Sequence, residues 1–278
     1  MKNILKIMLM MITIFTIAGS AVYAAEIPVS DQDQLITSSD WTEISNLQDE
    51  MKKEEPDATI DYDKALKVYV DCNLIKLQTA DTKKLTSALE SANYVWVIPF
   101  KMEKTYGMFT VAKGLPLREE AKSVLTKAEQ EEVKNHAGKW MITETAEHTV
   151  EPYYDILLEK REALSDCTRV VLVGSQPGMR QPVALGMDDE TARIWISLGY
   201  QYPVMEKIPE TQNVESGVYS FDSVAEISDT YIEDSEVSTG AGVQSRSSMK
   251  YVAGIGIIVI GSILILSVLK KKKLEDYE

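Results

Sequence analysis

Three observations predict an α+β fold, with a mixed, largely antiparallel sheet, helices packed on it and one C-terminal transmembrane helix. Runs rich in β-branched and aromatic residues alternate with amphipathic runs between residues 61 and 209, and two pairs of these strand-like runs are separated only by short polar turns. One run, "RVVLVGS", is apolar almost throughout, which suits the centre of a sheet. Finally, Tyr251 to Leu269 is 19 residues without a charge, followed at once by Lys270, Lys271, Lys272 and Lys273.

The elements follow in chain order. Residues 1–24 carry Lys2 and Lys6, then an apolar run from Ile7 to Ala18, then small residues suited to cleavage after Ala24. That is the layout of a signal peptide; an uncleaved N-terminal anchor is the rival reading. Residues 25–60 form an acidic segment in which Trp41, Ile44, Leu47 and Met51 recur at near-helical spacing after a capping Asp40 or Ser39, with Pro56 ending the helix. Its apolar stripe is expected to pack on the domain or to enter a partner's groove.

Within the 61–209 domain, "ALKVYVDCNLIKL" reads as one or two strands, and Asp81 begins a short helix with Leu85, Ala88, Leu89 and Ala92 on one face. "YVWVIPF" and "YGMFTVAKG" read as a hairpin, with Pro99 expected at an edge or a bulge. A longer helix is expected after Pro116, with Ala121, Val124, Leu125 and Ala128 inward and Gly138 stopping it. "KWMITETA" is a strand. "EPYYDILLEKREALSD" is a helix placing Tyr154, Leu157, Leu158 and Leu164 on one face. After "RVVLVGS", "QPVALGMDDETARIWISLGY" reads as a hairpin turning at Asp188, Asp189 and Glu190. Two hairpins argue against a purely parallel, doubly wound sheet. Residues 210–250 are acidic and rich in Ser, Thr and Gly, and read as a flexible stalk. Residues 251–269 form the span, about 30 Å at ~1.5 Å per residue. Residues 270–278 are a basic tail on the cytoplasmic side.

Charge follows this division. Removing the two leader lysines and the net two positive charges from Lys250 onward from the chain's −14 leaves −18 for the region between. Such a surface excludes nucleic acid as a partner and repels anionic lipid, so the bilayer is contacted through residues 251–269. The chain has two cysteines, Cys72 and Cys167. Outside the cytoplasm they can pair, closing a loop of about 94 residues worth roughly 4 kcal/mol in the chain-entropy model; otherwise they are two small buried hydrophobes. No N-x-[ST] sequon occurs, which leans towards a bacterial surface.

Catalytic chemistry is hard to find. "VVLVGSQPGMRQP" is a glycine-rich turn after an apolar strand, expected first as a plain turn built on Gly174, Pro177 and Gly178, with Ser175 and Arg180 meeting an anion as the functional alternative. It lacks the lysine of a phosphate-binding P-loop, and the spacing of a nucleophile elbow. His136 suits a helix C-terminus, and His148 lies in an acidic polar stretch. The pairs Asp61/Asp63 and Asp188/Asp189 fit turns better than a calcium loop. No metal or other cofactor is expected. In "SLGYQYPV", Tyr200 and Tyr202 fall in an expected loop and join Ser175 and Arg180 as the ligand-binding candidates.

Leader, ectodomain, stalk, hydrophobic span and basic end together resemble the layout of sortase-anchored Gram-positive surface proteins. Their LPxTG motif is missing, so the chain is expected to stay embedded through residues 251–269. The functional expectation is a single-pass cell-surface protein, N-terminal domain outside, acting as a binding or interaction module for an extracellular ligand or protein. The rivals are an extracytoplasmic hydrolase and an accessory subunit of a membrane complex.

Overall fold

The computed structural model describes residues 27–228 except Thr149, Ser175, Gly178, Arg180 and Gln201. Among these residues the chain is α+β, with ten strands in one mixed, mostly antiparallel sheet. The strands are β1 (Thr59–Ile60), β2 (Leu66–Tyr69), β3 (Tyr94–Lys101), β4 (Tyr106–Lys113), β5 (Trp140–His148), β6 (Arg169–Val173), β7 (Val183–Met187), β8 (Ala192–Ile196), β9 (Asn213–Glu215) and β10 (Val218–Ser220). Their order is β5-β4-β3-β2-β6-β7-β8-β10-β9, with β1 on the free part of β3. The β2–β6 pair is parallel, with Val68 opposite Leu172 and Tyr69 opposite Val173. The other strand pairs are antiparallel. "RVVLVGS" is central, as its unbroken apolarity requires.

Strand alternation sends successive side chains to opposite faces. On one face Val68, Val170, Leu172, Ala184 and Ile196 pack under α6 (Tyr153–Glu159) and the N-terminal Ile27 and Val29. The other face carries two clusters side by side. Val171, Val173, Leu185 and Trp195 pack against α3 (Thr82–Glu90), α7 (Pro203–Glu206) and a helix at 221–228, α8. Trp96, Ile98, Phe109 and Val111 pack against α1 (Trp41–Ile44) and α2 (Gln48–Glu54). The amphipathic stripe of the N-terminal segment thus lies on the domain, through buried Ile44 and Met51. Asp81 caps α3 by accepting from the Lys84 N–H.

The structure corrects several expectations. "ALKVYVDCNLIKL" is a strand only over Leu66–Tyr69; the chain then turns through Ile75–Leu77 to Gln78, whose φ is 47°. Pro99 is neither at an edge nor at a bulge: it lies opposite Met108 inside β3. Its carbonyl accepts from the Asp61 N–H. The N and C=O of a strand residue face the same neighbour, so the missing donor falls where β3's neighbour changes from β2 to β1.

The helix after Pro116 is two pieces, α4 (Glu119–Lys122) and α5 (Lys127–His136), broken at Thr126, which forms a capping box with Glu129. Val124, expected inward, is 77% exposed. Leu158, expected on the inner face of α6, is exposed, while Leu157 and Leu164 are buried. His148 belongs to β5, opposite Tyr106.

Cys72 and Cys167 are free thiols. They sit on opposite faces, Cys72 against the Trp195 cluster and Cys167 in the α6 cluster. Cys72 follows the end of β2 and Cys167 precedes the start of the parallel β6, so some nine strand positions separate them. At ~3.3 Å each that is on the order of 30 Å, against the ~6 Å a disulfide spans. Burial pushes both thiols up to about 11.

The stalk expected from residue 210 is also displaced. Residues 213–220 form a hairpin that extends the sheet, and Val218, Phe221 and Val224 are buried. Among the described residues no helix is long and apolar enough to cross a membrane. The leader, the rest of the stalk and residues 251–269 lie outside them.

Candidate functional site

Three places in the fold bring chemistry together. The first is the carboxyl end of the parallel pair. The connection from β2 leads to β3 on one side, and that from β6 leads to β7 on the other. A divergence of this kind opens the crevice in which α/β sheets hold ligands. Here a side chain fills it. Gln176, 3% exposed, donates through Nε2 to the carbonyls of Cys72 (2.7 Å) and Gly174 (2.9 Å), and its Oε1 accepts from the Leu74 N–H (3.0 Å). Ser175 and Arg180 lie outside the described residues, but their neighbours Gly174, Gln176 and Met179 border this crevice. β8 runs in the same direction as β6, so Tyr200 and Tyr202 follow it at the same end of the sheet.

Tyr202 is 2% exposed and its hydroxyl donates to the Pro182 carbonyl at 2.5 Å, so it packs and ties β7 to α7. Tyr200 is half-buried, with its ring edge-on to Tyr202 at 6.5 Å. Burial raises both phenols.

The second place is a charged seam between the two clusters that share a face. Lys67, in phase with Tyr69 and opposite Trp96, is nearly buried. Its ammonium lies 4.6 Å from the Tyr94 ring centroid, 5.2 Å from that of Trp96 and 5.9 Å from that of Tyr69. Cations favour such ring faces. The carboxylate of Asp33, 2% exposed, receives four groups. Ser30 Oγ donates at 2.6 Å, the Tyr69 hydroxyl at 2.7 Å and Arg169 at 2.9 Å, and the Lys67 ammonium stands 3.7 Å away. Beside them Asp40 accepts from the Tyr94 hydroxyl (2.8 Å) and from Trp96 Nε1 (3.0 Å). Desolvation lowers the Lys67 pKa, partly offset by Asp33 and Asp40, and burial together with Asp33 raises that of Tyr69.

The third place is a projecting arm. Between β4 and β5 the chain leaves the sheet for residues 115–139, and among those whose burial is described none is buried. The arm joins the sheet through a narrow neck in which Gly114 N–H donates to the Lys139 carbonyl (2.9 Å) and Gly138 N–H to the Gly114 carbonyl (2.8 Å). Gly114 is required there, because a Cβ would run into the His136 carbonyl. Leu115 is 42% exposed and Val124 77%, both on this arm.

Neither a protein-family model, nor a curated protein, nor a solved structure matches this chain. The reading therefore rests on geometry.

The seam was missed by pattern reasoning although part of its signal is present. Lys67 in "LKVY" and Arg169 in "RVVLV" are cations in otherwise apolar strands, and each demands a counter-charge. Nothing local marks Asp33 as that partner, since it lies 34 residues before Lys67 in an acidic stretch.

Proposed function

We propose that the chain is a single-pass cell-surface protein whose extracellular α+β domain acts as an interaction module, with the β4–β5 arm as its contact surface. One observation carries this reading: the arm presents Leu115 and Val124 to solvent on a preformed scaffold, held by a capping box and a glycine neck. Exposed apolar side chains scattered singly are ordinary; what favours the arm is that both stand on one ordered projection that buries none of its described residues. The anchoring part of the reading rests on the uncharged run 251–269 and its four following lysines.

The test is photo-crosslinking in intact cells from reactive side chains placed one at a time at Leu115, Val124 and, as a control on β9, the exposed Val214. A discrete adduct from the two arm positions, absent from Val214 and lost when Leu115→Asp accompanies the probe at Val124, is the expected result. Equal labelling from all three positions rejects the arm as the contact surface. An adduct with an integral membrane protein that co-purifies stoichiometrically identifies the chain as an accessory subunit.

A further inference from the structure

We propose that the charged seam is a recognition groove for an acidic segment, and that in this chain residues 27–35 are its resident ligand. The inference is independent of the arm.

β2 and β6 pair through Val68–Leu172 and Tyr69–Val173, towards their carboxyl ends. Towards their amino ends the strap at 27–35 occupies the space between them, with Val29 bridging Val170 in parallel and Gln34 bridging Leu66 in antiparallel fashion. Its main-chain bonds to the sheet are Val170 N–H to the Pro28 carbonyl (2.7 Å) and Leu35 N–H to the Ala65 carbonyl (3.1 Å). Ile27 and Val29 enter the cluster under α6, whereas Leu35 enters the Trp96 cluster on the opposite face. Between these apolar pegs stands Asp33.

The strap is extended at Ser30 and Gln34 with a 3-10 turn at Asp31–Asp33 between them, and it attaches by main-chain bonds on either side of that turn, with pockets for selected side chains. The charges point the same way. Lys67 and Arg169 belong to the sheet, and Asp33, which pairs with both, belongs to the strap. A sheet with two nearly buried cations and a single shared carboxylate is built to receive an anion from outside itself. The Nε of Arg169 is buried and meets no acceptor among the described residues, so the groove offers a donor the resident strap does not use. The strap ends in an exposed stretch, with Ile36, Thr37 and Ser39 on the surface, where the chain can part without disturbing the core. The groove is thus closed by its own N-terminal segment, and any external acidic segment enters by displacing it.

The experiment uses the full chain with a site-specific protease sequence inserted between Thr37 and Ser39. After cutting, a fluorescent peptide of residues 25–38 is added in excess. The expected result is that the cut protein stays folded and takes up the labelled peptide. An Asp31→Asn peptide competes as well as the parent, because Asp31 is exposed. An Asp33→Asn peptide competes about tenfold more weakly or worse, the scale of losing one charged hydrogen-bonded contact. Three results overturn the proposal: no exchange at any time, uptake indifferent to Asp33, or unfolding as soon as the strap leaves. The last would make the strap part of the core rather than a ligand of it.

Discussion

At the scale of single residues, Asp33 has the most consequential environment in the fold. Its carboxylate is almost fully removed from water and bonded to a serine, a tyrosine and a guanidinium, with an ammonium beside it. Removing it strands two cations whose side chains are only 10% and 17% exposed. Asp33→Ala should therefore cost roughly 3–5 kcal/mol in denaturant unfolding, the range for breaking a buried ion pair on one side. Adding Arg169→Met should return part of that loss, because the stranded charge goes with it. A double variant no more stable than Asp33→Ala alone would show that packing of the strap, and not charge, sets the cost. Lys67 announces its need in the sequence by sitting in an apolar strand. Asp33 does not, because acids are common in this chain.

At the scale of elements, β3 and β4 show how closely side chains replace one another. The Phe100 ring lies where a Cβ on Gly107 would be, and it packs on Phe109 with centroids 4.6 Å apart. Gly107→Ala should overpack this site and destabilise the domain by about 1–3 kcal/mol, measured as a lower thermal midpoint. The arm behaves oppositely. Thr126→Ala removes the capping box of α5, worth ~1 kcal/mol to that helix. Since α5 buries no residue, amide exchange should accelerate over 127–136 while the melting of the domain stays where it was. A matching fall in the domain's melting temperature would mean that the arm is an integral part of the core. The periodicity of this region did indicate helix. It also indicated an inner face that the fold leaves uncovered, because an amphipathic pattern records which residues want cover and does not say whether the fold supplies it.

At the scale of the whole molecule, tyrosines set the alkaline limit. Tyr69, Tyr94, Tyr153 and Tyr202 all have phenols raised above their ordinary 10.0 by burial first of all. In the unfolded chain they ionise near 10.0, and in the folded domain later, so the folded state holds more protons above that pH. Their contribution is complete below the unfolded value and is lost as pH rises towards the folded one. Lys67, with its pKa lowered, works the other way just below its ordinary 10.5, but it is one group against these four, the less strongly raised Tyr62, Tyr200 and Tyr219, and the two thiols. Cys72 and Cys167, raised from 9.0 to about 11, act in the same sense from a lower pH, so the midpoint of denaturant unfolding should hold up to about pH 9 and then fall, with phenolate absorbance appearing together with unfolding. Four tyrosines titrating normally in an intact fold would contradict the burial assigned to them.

The sequence by itself determined the α+β class with its mixed, mostly antiparallel sheet, the centrality of "RVVLVGS", both hairpins, the Asp81 cap and the turn at Asp188, whose carboxylate accepts from Glu190 and Thr191 N–H. These are set by period, composition and bonds within a few residues, and so are written locally. Only the tertiary structure decided that β2 and β6 run parallel, which places Cys72 and Cys167 at opposite ends and on opposite faces. It alone decided that Pro99 falls where one neighbouring strand gives way to another. It also extended the domain past residue 210 and paired Asp33 with Lys67 and Arg169. Each of these depends on which strand lies beside which and in what register. Alternation along one strand tells which face a residue takes, and is silent about the neighbour it meets there.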